Sequence, residues 1–337
     1  MLKTQDKKMS VAPMMEWTDR HCRYLHRLLS ARTRLYTEMV TADAVVHGDP
    51  ERLLGFDPAE HPVAVQLGGG VPRALAEAAR IAAGLGYDEI NLNVGCPSDR
   101  VQAGTFGAVL MKTPSLVADC AAAMIEAAGG IEVTVKCRIG VDDQDPRKSL
   151  PAVLDAISGA GVKRVVIHAR KAWLKGLSAR DNREVPPLDY AVALDMKAAF
   201  EALEIVVNGG VASLDAVLEL LARGFDGVMI GRAAYHDPVG ILAAADRRVF
   251  GQATEDARAE GAVQAMLPYI ERHLAHGGRL NQITRHMLGL FSGRPGARVW
   301  RRVLSEGAHL PGAGPELVER ALAGVAVHGG LREAANS

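Results

Sequence analysis

The chain has 337 residues, of which 48% are hydrophobic, and its 39 basic and 39 acidic side chains give a formal net charge of zero. This length suits one large domain and a smaller one. The balanced charge excludes a protein that is basic over its whole surface, but it allows a local basic patch. The polar N-terminus and the lack of a long apolar run favour a cytoplasmic protein without signal peptide or membrane span. The four cysteines form no CxxC pair or zinc spacing, which favours a reducing compartment and no metal.

Short apolar runs predict eight β-strands in the first 230 residues. They are Val11–Met14, Leu35–Thr37, Val63–Leu67, Glu89–Asn93, Val133–Lys136, Arg164–His168, Glu204–Asn208 and Gly227–Ile230. Amphipathic stretches that predict helices lie between them, such as Pro72–Leu85, Ser115–Ala128, Pro151–Gly159, Asp189–Leu203 and Ser213–Arg223. Alternating strands and helices imply parallel pairing, and eight units in about 240 residues match a (β/α)8 TIM barrel. A doubly wound open sheet is the alternative, weakened because no GxGxxG turn follows the first strand.

A single cysteine, Cys96, follows the fourth predicted strand. It lies between Gly95 and Pro97, so a turn must hold it just beyond the strand. In a TIM barrel this end of the strands carries the active site. A small residue that merely fills a turn is the alternative. A functional thiol is favoured by the polar residues nearby, which are Asn91, Asn93, Ser98, Asp99, Arg100 and Gln102.

Other polar residues and glycines fall at the same ends of the predicted strands. They are Pro13, Met14 and Met15 after the first strand, Gln66 on the third, Lys136 on the fifth, His168 on the sixth, Asn208, Gly209 and Gly210 on the seventh, and Gly231 and Arg232 on the eighth. Glycines after the last two strands let backbone N–H groups approach an anion, which predicts a phosphate site. Ordinary tight turns are the alternative.

Lys136 stands in VTVKC, on a strand that is otherwise expected to be buried, where an unpaired ammonium is costly. It could reach solvent, or it could lie beside an electron-rich ring that gains negative charge on reduction. Gln66 could hydrogen-bond the edge of that ring. His168 alone would more often be structural, but in this row of residues we interpret it as a ligand contact.

The connection between residues 169 and 187 is unusually long for a barrel. It interleaves five basic residues with Trp173, a pattern that suits a nucleic-acid backbone and its bases. A solvated lid over the barrel is nearly as good an interpretation. Arg180 and Arg183 belong to this connection.

Beyond Arg247 the strand pattern stops, and we place a domain boundary between residues 247 and 248. Four predicted helices follow and imply a small bundle: Ala259–His276, Gln282–Leu290, Gly296–Ser305 and Glu316–Val327. Between Arg272 and Arg302 there are seven arginines and no acid. Arg298 and Arg301 share one helix face, and arginine favours bidentate phosphate contacts. A solvated face is the alternative, but such a face normally mixes charges.

Several motifs resemble those of the tRNA-dihydrouridine synthases over roughly residues 10–325. They include SVAPMMEWTDRHCR, GYDEINLNVGCPSDRV, VTVKCRIG, VVNGGV and GVMIGRAAY. NREVPPLDY and RPGARVWRR resemble the subfamily that acts at positions 20 and 20a. The resemblance implies an FMN enzyme that uses NADPH to reduce the C5–C6 double bond of uridine in the tRNA D-loop. We expect a cytoplasmic monomer whose partner is tRNA.

The resemblance also assigns roles to individual residues. Cys96 falls on the family's proton donor. The strand-end set falls on its flavin site: Pro13, Met14, Met15, Gln66, Lys136, His168, Asn208, Gly209, Gly210, Gly231 and Arg232. Positions associated with tRNA contact are Asn93, Arg180, Arg183, Arg298 and Arg301.

The implied chemistry agrees with the residues. Hydride addition to C6 leaves charge on C5 and O4, and a thiol, mostly protonated at neutral pH, can deliver the proton to C5. One rival is a flavin barrel acting on a free pyrimidine, like the dihydroorotate dehydrogenases; the acid-free arginine stretch disfavours it. The other is an RNA-binding protein built on an inactive barrel, which Cys96, Lys136 and the two glycine turns disfavour.

Overall fold

The computed structural model describes residues 7–98 and 106–335, and the side chains as far as residue 326. Asp99, Arg100 and Gln102, three of the polar neighbours predicted for Cys96, therefore lie outside the described residues.

Eight parallel strands within the described residues close into a barrel in chain order. They are β1 Met9–Val11, β2 Arg34–Thr41, β3 Val63–Gly68, β4 Glu89–Val94, β5 Glu132–Arg138, β6 Arg164–His168, β7 Glu204–Asn208 and β8 Gly227–Ile230. β8 pairs with β1 and closes the ring. The predicted TIM barrel is confirmed.

The prediction for the first strand was misplaced by two or three residues. β1 ends at Val11, and the last bond of its ladder with β8 runs from the Ala12 N–H to the Ile230 carbonyl, at 2.8 Å. Pro13 follows and has no N–H to continue the ladder, so the strand cannot extend to Met14. Pro13 and Met14 therefore lie in the loop beyond the strand.

The helices of the first part of the chain alternate with the strands. They are α1 Arg20–Leu29, α2 Ala42–His47, α3 Pro50–Leu54, α4 Pro72–Gly84, α5 Pro114–Ala127, α6 Pro146–Gly159, α7 Tyr190–Ala199 and α8 Leu214–Ala222. α6 begins five residues before its predicted start at Pro151. Asp145 caps it by accepting from the Arg147 N–H, and Pro151 lies inside the helix rather than in its first turn.

β4 places polar side chains inside the barrel. Glu89, Asn91 and Asn93 alternate with apolar residues along the strand, and all six of its residues are buried. Side chains two residues apart point to the same side of a strand. Glu89 contacts Tyr36, which belongs to the apolar cluster inside the barrel. The polar face of β4 thus lies in the core and not in solvent.

Compact units divide the chain in two: residues up to Thr18 with Arg34–Gly231, and Asp19–Thr33 with the residues from Arg232 onward. The second unit is helical. It contains α1 and then α9 Arg232–His236, α10 Pro238–Leu242, α11 Ala245–Arg248, α12 Ala259–Ala275, α13 Leu280–Met287, α14 Ala297–Gly307 and α15 Pro315–Ala335. Within it, α1 packs against α10, α12 and α13. The domain boundary at residue 247 stays a prediction.

The second unit has its own core. Trp300 is fully buried, packs edge-on against Phe291, and donates from its indole N–H to the Met287 carbonyl at 2.9 Å. A buried indole normally needs such a partner. Among the helices of the described residues, none has the length and apolar character needed to cross a membrane.

Candidate active site

Cys96 is held just beyond β4 by its own backbone. The N–H groups of Gly95 and Cys96 donate to Asn93 Oδ1 at 3.1 and 3.0 Å. The Cys96 carbonyl accepts from the Ala108 N–H at 2.9 Å, and the Sγ atom lies 3.5 Å from Ser98 Oγ.

The surroundings of Cys96 distinguish it from the other three cysteines. Cys96 is partly exposed, whereas Cys22, Cys120 and Cys137 are buried. The thiol that sequence reasoning singled out is therefore the accessible one.

Lys136 lies partly buried on β5 and donates from Nζ to Asn208 Oδ1 at 3.1 Å. The Asn208 amide is held in turn by the Met229 carbonyl, at 2.8 Å. Within the described residues, no carboxylate forms an ion pair with Lys136. Burial lowers the pKa of Lys136 to about 8, with Arg138 as a further cause. The site thus keeps a cation that is easily deprotonated.

Arg138 is a site residue that sequence reasoning missed. It is buried; its Nε donates to the Gly95 carbonyl at 3.1 Å, and Nη1 donates to the carbonyls of Asn182 and Lys171 at 2.8 and 3.2 Å. It therefore fastens the Cys96 loop to the 169–187 connection. Burial lowers its pKa to about 10, so it stays charged at neutral pH. Arg138 could have been recognised from the sequence, because it lies two residues after Lys136 and therefore on the same face of the strand.

His168 ends β6 and is 7% exposed. Burial, together with the positive charges of Arg138, Lys136, Arg170 and Arg183, holds its pKa well below the usual range. A histidine in this environment is neutral at pH 7, so it contributes hydrogen bonds rather than charge.

Gly209 and Gly210 follow β7 in backbone conformations that favour glycine, with φ values of +106° and +70°. A Cβ at Gly209 would lie 2.4 Å from His168 Cδ2, and one at Gly210 would lie 2.3 Å from Leu188 Cδ1. A side chain at either position would therefore have to displace His168 or Leu188, and the positive φ values add backbone strain for any residue other than glycine. Gly231 is different, because a Cβ there would meet Met14 Sδ at 3.6 Å and Ala12 Cβ at 3.7 Å, both ordinary contacts.

The structure groups several predicted residues through direct contacts. Gln66 donates to Asn91 Oδ1 at 2.7 Å and accepts from Asn93 Nδ2 at 2.8 Å, which links it to the Cys96 loop. Lys136 joins Asn208, and His168 adjoins Gly209.

The remaining predicted flavin-site residues lie at chain positions that follow β1 and β8. Pro13, Met14 and Met15 form the loop after β1, where Met15 is 57% exposed. Gly231 follows β8, and Arg232 begins α9 in the second unit.

The 169–187 connection is folded around the buried side chain of Asn182. Its Oδ1 accepts from the Trp173 N–H at 2.7 Å, and its Nδ2 donates to the Trp173 carbonyl at 2.9 Å. Asn182 was not among the residues predicted from the charges of this segment. Arg180 and Arg183 are exposed, as contact with a large ligand requires.

The arginine-rich segment is less uniform in space than in sequence. Arg285 pairs with Asp19 and Arg294 with Glu260, each at 2.5 Å, so acids from elsewhere in the chain neutralise part of it. Arg298 and Arg301 are exposed on α14, while Trp300 and Leu304 are buried. Neither Arg298 nor Arg301 has an ion-pair partner among the described residues.

A closed (β/α)8 barrel with a cationic, glycine-lined strand end and a partly exposed thiol defines a TIM-barrel enzyme site. The family model described as "Dihydrouridine synthase (Dus)" matches residues 10–325, and the chain belongs to that family. The resemblance found in the motifs is confirmed.

Several relatives named tRNA-dihydrouridine(20/20a) synthase are similar over nearly their whole length. The protein from Xanthomonas campestris pv. campestris is 59% identical, covering 93% of this chain and 92% of the relative. Those from Salmonella typhimurium and Escherichia coli K12 are both 56% identical, covering 94% of this chain and 94% and 90% of the relatives.

Among solved structures, an old yellow enzyme homologue from Zymomonas mobilis is similar with a TM-score of 0.52 and 13% identity, covering 76% of this chain and 92% of that one. This likeness shows the shared barrel fold.

Proposed function

We propose that the protein reduces uridine to 5,6-dihydrouridine in the D-loop of tRNA, at positions 20 and 20a, with FMN as cofactor and NADPH as reductant. The observation that carries the proposal is the 54–59% identity to relatives named for this activity, over at least 90% of each relative. The residues at the strand ends support the same chemistry.

The strand ends fit an anionic flavin cofactor. Lys136 and Arg138 bring positive charge without a carboxylate partner among the described residues, and Gly209 and Gly210 form a turn after β7 with φ values of +106° and +70°. Backbone and cations of this kind suit a phosphate. Lys136, His168, Asn208, Gly209 and Gly210 would hold the cofactor. When bound, it would supply the hydride that adds to C6 of the uracil.

Cys96 would deliver the proton to C5 of the uracil. Asn93 holds the backbone of the loop, so the thiol has a defined place near the strand end. A positioned general acid typically contributes about 10²–10⁴-fold to a rate. The uridine must leave the folded D-loop to reach it, which costs a few kcal/mol as in other base-flipping enzymes.

The pKa of Lys136 leads to a pH-dependent affinity for the cofactor. Lysine has an ordinary pKa of 10.5, and here it is lowered to about 8, so Lys136 is charged below pH 8 and neutral above it. An anionic ligand binds the charged form more tightly. FMN affinity of the flavin-free protein should therefore fall up to about tenfold between pH 7 and pH 9, as the charged fraction drops.

The measurement is a fluorescence titration with FMN in the Cys96→Ala background, which leaves the thiol out. Lys136→Met in the same background should bind FMN more weakly at pH 7 and with little pH dependence. Arg138, whose pKa is about 10, stays mostly charged across this range. If the Cys96→Ala protein, which retains Lys136, binds FMN with the same affinity from pH 7 to pH 9, Lys136 does not contribute its charge to FMN binding.

The exposed arginines would contact the RNA: Arg180 and Arg183 in the barrel unit, Arg298 and Arg301 in the helical unit. Removing a phosphate contact lowers the number of counterions released on binding, by about 0.7–0.9 in the salt slope per contact. Arg298→Ala with Arg301→Ala should flatten the plot of log affinity against log salt by roughly 1.5 units. Flavin content should not change.

tRNA affinity measured at several salt concentrations, beside a melting curve, tests this prediction. Arg80→Ala is the matched control, because Arg80 is exposed and pairs with Glu77 on α4, and it should keep the salt slope of the unaltered protein. If Arg298 and Arg301 only support the helix, the double variant would melt earlier with an unchanged slope.

We also propose that the protein works as a cytoplasmic monomer, with catalysis in residues 1–247 and RNA binding in residues 248–337. The separate helical core around Trp300 supports an RNA-binding part that folds around its own interior.

Two measurements on the purified protein test the proposed function against its rivals. A flavin absorption spectrum separates a flavoenzyme from an RNA-binding protein on an inactive barrel. Turnover on tRNA compared with free uridine separates an RNA-modifying enzyme from one that reduces a small pyrimidine. A colourless protein that cannot be reconstituted with FMN, or one that prefers free uridine, would overturn the proposal.

A further inference from the structure

A chain of buried hydrogen bonds begins at Glu89, deep in the barrel. Thr134 Oγ1 donates to Glu89 Oε1 at 2.6 Å and accepts from Asn91 Nδ2 at 2.8 Å. Glu89, Asn91 and Thr134 are all 0% exposed. The proposed chemistry does not use any of the three.

The same chain continues to the loop that carries Cys96. Gln66 Nε2 donates to Asn91 Oδ1 at 2.7 Å, and Asn93 Nδ2 donates to Gln66 Oε1 at 2.8 Å. Asn93 Oδ1 then accepts from the N–H groups of Gly95 and Cys96, at 3.1 and 3.0 Å. An unbroken series of polar contacts thus connects a buried carboxylate to the backbone of the proposed proton donor.

The sequence builds this chain from strand periodicity and register. Glu89, Asn91 and Asn93 occupy alternate positions on β4 and so share its inner face. Gln66 on β3 and Thr134 on β5 are the register partners of Asn91 on either side. Partners in register on neighbouring strands are near enough to hydrogen-bond.

Glu89 is charged, and its charge fixes the direction of the hydrogen bonds at its end of the series. Burial alone would raise the pKa of this carboxyl, but Arg34, Arg164 and the hydrogen bonds from Thr134 and Tyr36 outweigh burial and lower it. Arg34 Nη1 lies 2.6 Å from Glu89 Oε2. An ionised carboxylate only accepts hydrogen bonds, so the Thr134 hydroxyl must donate to it.

Each further link then has only one hydrogen-bonding solution. The Thr134 hydroxyl has donated its hydrogen, so Asn91 must present its NH₂ group there and its oxygen to Gln66. Gln66 must in turn present its oxygen to Asn93, whose own oxygen faces the loop. The other end requires the same polarity independently, because the Gly95 and Cys96 N–H groups can only donate. Amide orientations are ordinarily assigned rather than observed, and here both ends require the same assignment.

We propose that Thr134 and Asn91 are positioning residues, which impose one orientation on the side-chain amides of Gln66 and Asn93 and thereby hold the Cys96 loop. This proposal rests on the proposed function, in which Cys96 delivers a proton. The buried Gln66 amide has one N–H and one oxygen lone pair beyond these two contacts, and the hydrogen-bond series decides on which side each lies.

Thr134→Val tests this role, because valine has the shape of threonine without the hydroxyl. Asn91 then loses its hydrogen-bond acceptor on β5, and the orientation of the amides is required only from the Gly95 and Cys96 end. Thr134→Ser retains the hydroxyl and should behave like the unaltered protein. Thr33→Val is the matched control in the second unit, since it removes another fully buried hydroxyl, which lies 2.7 Å from Ser30 Oγ.

The first readout is alkylation of Cys96 by iodoacetamide, followed by peptide mass spectrometry. It needs neither tRNA nor turnover, and the buried Cys22, Cys120 and Cys137 serve as internal references. Thr134→Val should raise the rate of Cys96 alkylation at least about threefold, because the loop that carries the thiol is held less firmly. The second readout is dihydrouridine formation, where kcat should fall at least about tenfold and KM for tRNA should stay within about twofold.

A purely structural role would give a different pattern. Thr134→Val and Thr33→Val would both melt earlier, with unchanged Cys96 alkylation and unchanged kcat below the melting range, and that result would overturn the proposal. If Thr134→Val does not fold, Asn91→Ala cuts the next link and should show the same two changes. If the unaltered protein makes no dihydrouridine, the proposed function fails. The alkylation comparison alone then decides whether the series of hydrogen bonds from Glu89 holds the Cys96 loop.

Discussion

Replacing Cys96 with alanine should abolish dihydrouridine formation while flavin and tRNA affinities stay within about twofold. The thiol lies 3.5 Å from Ser98 Oγ on the loop after β4, whereas the proposed cofactor contacts belong to β5, β6 and β7. Losing a general acid costs about 10²–10⁴-fold in rate. Reduction of the flavin by NADPH should continue, since that step needs no proton on the uracil.

Stopped-flow measurement of the two half-reactions, each by itself, checks this result. Cys120→Ala is the control, because Cys120 is a buried cysteine on α5 and should not affect either half-reaction. Normal turnover of Cys96→Ala on tRNA would exclude this thiol as the required acid.

Gly209→Ala should remove bound flavin from the purified protein. The new Cβ would lie 2.4 Å from His168 Cδ2 and 2.8 Å from its Nε2, so the imidazole must move within the proposed cofactor site. The backbone there has a φ of +106°, which itself costs about 1–3 kcal/mol for a residue other than glycine. Gly209→Val would add further bulk at the same place.

The flavin-to-protein absorbance ratio, with a melting curve, measures this loss. Gly86→Ala is a matched control for backbone strain, because Gly86 has a φ of +89° and no atom within 4 Å of an added Cβ. It should lower the melting temperature and keep the flavin. A Gly209→Ala protein that retains one flavin per chain would show that this backbone is not the anion contact.

The barrel could be predicted from the sequence because its signal is local. Alternating apolar residues mark a strand such as β4, and the strand–helix rhythm implies parallel pairing. The error at β1 also had a local cause, since the apolar run continues through Met14 while Pro13 ends the ladder. Elements separated by regular helices were therefore placed within a few residues.

The site could be predicted only where chemistry coincides with a strand end. Cys96 and Lys136 were found in this way, but Arg138 acts through the backbone carbonyls of Gly95 and Asn182, which lie 43 and 44 positions away in the chain. Nothing local indicates such partners. The same limit affected the arginine-rich segment, where Asp19 reaches Arg285 across 266 positions of the chain.

Mapping dihydrouridine in an unmodified tRNA transcript, after incubation with the FMN-loaded protein and NADPH, tests directly whether the protein modifies tRNA. Mass spectrometry of nuclease fragments locates the two added hydrogens on each modified uridine. We expect dihydrouridine at positions 20 and 20a with the unaltered protein and none with Cys96→Ala. A transcript that stays unmodified, or one reduced only at other D-loop positions, would contradict it.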